Sequence, residues 1–101
     1  MKFGLSDTVI EELRSVFRRH QNIDRVLIFG SRSKGNYRAG SDIDLAVIGK
    51  GIDYGQMLTI LCEIEDLELL YSVDLIDYKE KIGTPLGNHI DRVGQVFYEA
   101  A

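Results

Sequence analysis

A short β-branched and aromatic run, Arg25-Val26-Leu27-Ile28-Phe29, stops at Gly30-Ser31, and after ten intervening residues Asp42-Ile43-Asp44 opens a second apolar run that reaches Ile48. Each run is short and carries the residue types that fit a pleated, buried surface, so the pattern predicts strand, loop, strand. The segment from Gly30 to Ser41 is polar and rich in Gly, Ser and basic residues, with room for one helical turn at Ser31 to Lys34. This unit constrains the chain more than any other, because alternation along the second strand decides where its charges go. Asp42 and Asp44 project to one face, while Ile43 and Leu45 point into a core on the other. Residues 42–47 therefore form a half-buried strand with one wet end.

Two adjacent carboxylates repel each other and are stable together as a dianion only beside a cation. Hard oxygen ligands with room for water and phosphate suit magnesium or manganese, and magnesium is the natural choice. A third apolar run, Val73 to Tyr78, reads as another strand; within it Asp74 would be costly to bury without a partner, which a shared metal supplies. Asp77 faces the other way and is expected to serve a turn or the surface. The Gly30-Ser31 turn adds the complementary half. A residue without a side chain lets backbone N–H groups and the Ser31 hydroxyl approach phosphate oxygens, and Arg32, Lys34 and Arg38 follow closely enough to screen a triphosphate.

Around this unit the chain alternates helices with strands. Thr8 and Glu11 have capping-box spacing, and Val9, Ile10, Leu13, Val16 and Phe17 then share one face of a helix to about His20. Gly49-Lys50-Gly51 makes a break, Asp53 can cap a second helix, and Tyr54, Met57, Leu58, Leu61, Ile64 and Leu67 form its core-facing stripe, with Glu63, Glu65, Asp66 and Glu68 on its solvated face. Thr84-Pro85 starts a last helix with Ile90, Val93, Val96 and Phe97 as its stripe. The order α-β-(short α)-β-α-β-α, with no repeat or linker, predicts one α+β domain over residues 1–101, its helices packed on a small sheet.

Charge narrows the function. The net charge of −4 argues against stable duplex nucleic-acid binding, yet eight of the twelve basic residues fall in the first 38 positions, which suits a triphosphate better than a long polyanion. Cys62 is the single cysteine and is expected to pack as an inert thiol. His20 and His89 lack metal-ligand spacing and are expected at surface or capping positions. The amino terminus lacks the apolar stretch of a signal peptide and no run suffices to span a bilayer, so a cytoplasmic, membrane-free protein is expected.

Gly30-Ser31, ten residues, Asp42-Ile43-Asp44 and Asp74 within Val73-Asp74-Leu75-Ile76 together resemble the DNA polymerase β superfamily, specifically its minimal nucleotidyltransferases, over about residues 8 to 98. The resemblance implies a mixed sheet with flanking helices like the polymerase β palm. It implies that Asp42 and Asp44 ligate two magnesium ions, that Asp74 completes the catalytic metal site near the attacking hydroxyl, and that Gly30 and Ser31 grip the β- and γ-phosphates of a nucleoside triphosphate, ATP by preference. Larger members carry an extra helical domain. Minimal ones commonly pair with a small all-helical protein of the HEPN (higher eukaryote and prokaryote nucleotide-binding) family as antitoxin and toxin. The leading expectation is transfer of AMP to a partner hydroxyl, that of a tyrosine. Transfer to a small hydroxylated compound such as an aminoglycoside, or a non-catalytic nucleotide- or partner-binding module, are the alternatives.

Overall fold

A computed structural model describes all 101 residues. The elements run α1 (Asp7–Arg18), β1 (Ile23–Phe29), α2 (Ser31–Lys34), β2 (Ile43–Gly49), α3 (Tyr54–Glu65), β3 (Val73–Asp77), a 3-10 turn (Tyr78–Lys81), α4 (Pro85–Val93) and β4 (Gln95–Glu99). The strands form one mixed sheet in the order β3-β2-β1-β4, with β1 antiparallel to both neighbours and β2 parallel to β3. The architecture is α+β, as the order of elements in the sequence predicts. A parallel pair needs a crossover, and α3 is that connection. No helix is long and apolar enough to cross a membrane.

Local chemistry accounts for the element ends. Ser6, not Thr8, caps α1, its Oγ accepting the Val9 N–H at 3.2 Å; Thr8 lies inside the first turn, so the helix starts earlier than the Thr8–Glu11 spacing suggests. Asp53 accepts the Gln56 N–H at 2.8 Å to start α3, and Thr84 accepts the Gly87 N–H at 3.1 Å with Pro85 at the first helical position of α4. The stripe expected to carry α4 through Val96 and Phe97 is interrupted: Gly94 ends the helix, its N–H bonding Ile90 O, and a Cβ there would lie 2.6 Å from that oxygen. The chain then turns extended as β4, with Phe97 fully buried. This fourth strand is absent from the sequence reading.

The two faces of the sheet are covered unequally. Beneath one, α1 and α3 close a core of fifteen buried residues that includes Leu13, Phe17, Val26, Ile28, Leu45 and Phe97. Across the other, α4 seals only Phe29, Ala46 and Ile90. The α3 stripe is only partly inward: Ile60 and Ile64 are buried, but Tyr54 is 77% and Leu58 44% exposed, and Cys62 stands in solvent on the same helix instead of packing.

Candidate active site

The site lies at one end of the thinly covered face. β1 ends there, β2 and β3 begin there, and the in-register pairs place Phe29 opposite Asp44 and Asp44 opposite Asp74. Directly opposed residues share a face, so Asp44 and Asp74 project side by side while Ile43, Leu45, Val73 and Leu75 point into the larger core. Asp42 stands exposed one residue ahead of β2. The sequence-predicted carboxylates are thus brought to one end of the sheet, although they do not close into a ready-made three-ligand cluster.

Asp44 shows the strain of this arrangement. Its carboxyl is pushed up from 3.8 to about 6, first by burial, then by the charge of Asp74, a hydrogen bond shared with the Asp74 carboxyl, and the charge of Asp42; Arg32 pulls weakly the other way. Burial and the neighbouring carboxylates thus disfavour charge on Asp44, and Arg32 is the cation that opposes them. Gly30 packs directly over the Asp44 carboxyl: its φ of +73° and ψ of −151° are open only to glycine, and a Cβ there would lie 2.3 Å from Asp44 Oδ2. Gly30 is therefore fixed twice, by its backbone and by the carboxylate it touches. Ser31 follows, half-buried, at the start of α2, and its carbonyl accepts the Gly35 and Asn36 N–H groups.

Arg32 does not sit where the sequence pattern put it. It is 2% exposed, and its guanidinium turns inward: Nη1 donates to Phe3 O at 2.8 Å, while Nε and Nη2 donate to Ser41 O at 3.1 and 2.8 Å. Tyr37 and Tyr71 stack on it at 5.4 and 5.0 Å. The fork that was expected to reach phosphate ties together the amino-terminal turn, the loop and the approach to β3. Because Ser41 precedes Asp42, it also fixes the backbone that delivers that carboxylate.

The remaining candidates divide between solvent and scaffold. Lys34 and Arg38 are exposed on the loop. Ser33, which the sequence did not single out, is buried, donating its hydroxyl to Val93 O, while Gln95 Nε2 donates to Ser33 O at 2.7 Å; these bonds lock α2 to the end of α4. Asp77 caps the 3-10 turn through the Lys79 N–H, the turn role expected of it. His20 is more enclosed than a surface residue: its Nε2 meets Glu63 at 2.6 Å, Arg19 adds a 3.2 Å ion pair, and Gln56 contacts its Nδ1. Those partners, led by the His20 hydrogen bond, hold the Glu63 carboxyl below its usual range. This cluster sits at the end of the sheet opposite the carboxylates. His89 is half-buried on α4 with its ring edge-on to Phe29.

Residues 11–101 match the family described as Polymerase beta, Nucleotidyltransferase. No curated protein matches at a significant level. Among solved structures, a toxin–antitoxin with AMP-PNP aligns at a TM-score of 0.70 and 21% identity, covering 90% of this chain and 73% of the other. A tri-AMPylated Shewanella oneidensis HEPN toxin in complex with MNT antitoxin aligns at 0.67 and 18% identity, over 95% and 74%. The toxin–antitoxin MntA-HepT aligns at 0.65 and 17% identity, over 94% and 74%. At these identities the likeness is one of fold.

Proposed function

Because this chain belongs to the polymerase β nucleotidyltransferase family, we propose that it binds magnesium-ATP at the Asp42, Asp44 and Asp74 end of the sheet and transfers AMP to a hydroxyl of a small all-helical HEPN-type protein, acting as the antitoxin of a toxin–antitoxin pair. The observation that carries this reading is the Asp44–Asp74 pair, held in register under Gly30, where burial and the neighbouring carboxylates disfavour charge on Asp44. The donor set fits magnesium: hard carboxylate oxygens at a wet strand end, with Asp42 one residue away and free to swing in. Two bound ions there would neutralise the carboxylates and stabilise charge on the entering and leaving oxygens of an in-line displacement.

The chain's own residues supply the rest. Asp42 and Asp44 would hold the ions, and Asp74, exposed at the edge of the sheet, would complete the metal site on the side open to an incoming hydroxyl. Gly30 leaves space for phosphate oxygens to approach the backbone at Ser31, whose hydroxyl donates to them; Lys34 is the free cation nearest in sequence. Arg32 acts indirectly, by setting the Ser41–Asp42 backbone and by lending charge from within. The hydroxyl gives up its proton to the Asp74 carboxylate or to water, its oxygen bonds to the α-phosphorus as the bridging bond to the β-phosphate breaks, and pyrophosphate leaves with the electron pair. A tyrosine of the partner is the proposed acceptor. The structures this fold resembles include an AMPylated HEPN toxin with its antitoxin and a complex with an ATP analogue, which favours that acceptor and nucleotide.

One feature favours a second acceptor class. A groove of about 360 Å³ beside Ser72 and Val73, lined mainly by apolar side chains, carries Glu65 and Glu68 on its wall, two carboxylates that suit a polycation such as an aminoglycoside. Co-expression with the cognate HEPN-type protein separates the readings by mass spectrometry. A gain of AMP masses on the partner, absent with Asp44→Asn, supports protein modification. A bound, inhibited but unmodified partner contradicts it and leaves a contact-only module, and transfer only to added aminoglycoside selects the second acceptor.

A further inference from the structure

Withdrawing Arg32 into the interior removes one expected phosphate donor from the carboxylate end of the sheet, and α4 offers another. We propose that His89 is a nucleotide-contacting residue, its imidazole donating an N–H to a phosphate oxygen of the bound triphosphate from the α4 side of the site. The proposal rests on the nucleotide-binding reading above. Phe29 is the register partner of Asp44, so the two side chains share a face, and the His89 ring packs on Phe29 with centroids 6.3 Å apart at 82°. His89 therefore packs on the side chain that is the register neighbour of the carboxylate Gly30 covers.

The orientation of α4 is fixed by contacts on its other sides. The Tyr78 hydroxyl donates to Asp91 on the opposite flank, Ser33 holds the Val93 carbonyl, and Ile90 is buried against the sheet. With those three tied, the helix cannot roll His89 away from Phe29. Neither ring nitrogen bonds a protein group, and neither is sealed from solvent, so both remain available to a ligand. In either neutral tautomer or as the cation, the ring presents at least one N–H donor, so the contact does not depend on its charge.

A histidine that merely packs on Phe29 would tolerate any ring. Magnesium-ATP binding to the wild type, His89→Phe and His89→Gln, measured by calorimetry with melting temperatures alongside, separates the two roles. His89→Phe keeps the packing and loses the donor, and is expected to bind about tenfold more weakly at an unchanged melting temperature. His89→Gln restores a donor and is expected to stay within about threefold of wild type, with transfer assays placing the loss in KM and not in kcat. If His89→Phe fails to fold, His89→Leu takes its place in the comparison with His89→Gln. Wild-type affinity in the donor-free variant, or equal losses in both variants, overturns the role of His89 and leaves the site intact. A wild type that binds no triphosphate overturns the nucleotide-binding reading, and His89 with it.

Discussion

The two faces of the sheet are built to different ends. Under α1 and α3, inward side chains of every strand interlock and fifteen residues are buried; under α4 three are buried, and the same strands present Asp44 and Asp74 where the opposite face presents Leu45 and Leu75. One face supplies stability to a sheet whose other face holds like charges together. A protein without the first could not tolerate the second, because crowded carboxylates cost free energy until a ligand neutralises them.

Substitutions on matched strand positions sharpen that contrast. On the closed face, Leu45→Ala should lower unfolding free energy by about 3 kcal/mol in denaturant titrations, the range for truncating a fully buried leucine. Gly30→Ala is next, at about 2 kcal/mol, since the backbone there is open only to glycine and the added carbon collides with Asp44; it should also abolish magnesium-ATP binding. Stability losses of that size with binding intact would show that Gly30 does not guard the site.

Asp44→Asn should do the reverse and stabilise the metal-free protein. The folded carboxyl titrates at about 6 against 3.8 for the ordinary group, so the folded state holds its proton more tightly. Its contribution is full below pH about 4 and is lost as pH rises through about 6, leaving the wild type less stable at neutral pH. Solvent screening of this half-buried group reduces the gain from Asp44→Asn to about 1 kcal/mol at pH 7, vanishing near pH 4. Thermal melts across that window check it; a variant less stable than wild type at pH 7 would contradict the repulsion. The smallest effect belongs to Leu27→Ala, half-buried on the open face, at about 0.5 kcal/mol. Equal costs for Leu27→Ala and Leu45→Ala would erase the difference between the faces.

The legible part of the molecule was the part governed by short-range rules. Alternation placed Asp42 and Asp44 on one side and Ile43 and Leu45 on the other, and capping chemistry fixed the starts of α3 and α4. Three features escaped because distant residues decide them. Val96 and Phe97 continue the spacing of Ile90 and Val93, and what separates helix end from helix interior is the extended Gly94 backbone and the pairing of Gln95 and Val96 with the distant Ile28 and Leu27. Arg32, Lys34 and Arg38 look equivalent in one basic loop, yet Phe3 and Tyr71 select Arg32 for burial. The environment of His89 depends on Phe29, sixty residues earlier, and on how α4 is tethered.

Everything proposed for this chain rests on the carboxylates at the open end of the sheet, and magnesium-ATP calorimetry on the wild type and on Asp42→Asn with Asp44→Asn tests them most directly. The account predicts metal-dependent binding by the wild type, lost in the double variant while that variant remains folded. Binding that persists in the double variant, or none by the wild type even with other triphosphates and the helical partner present, would contradict it.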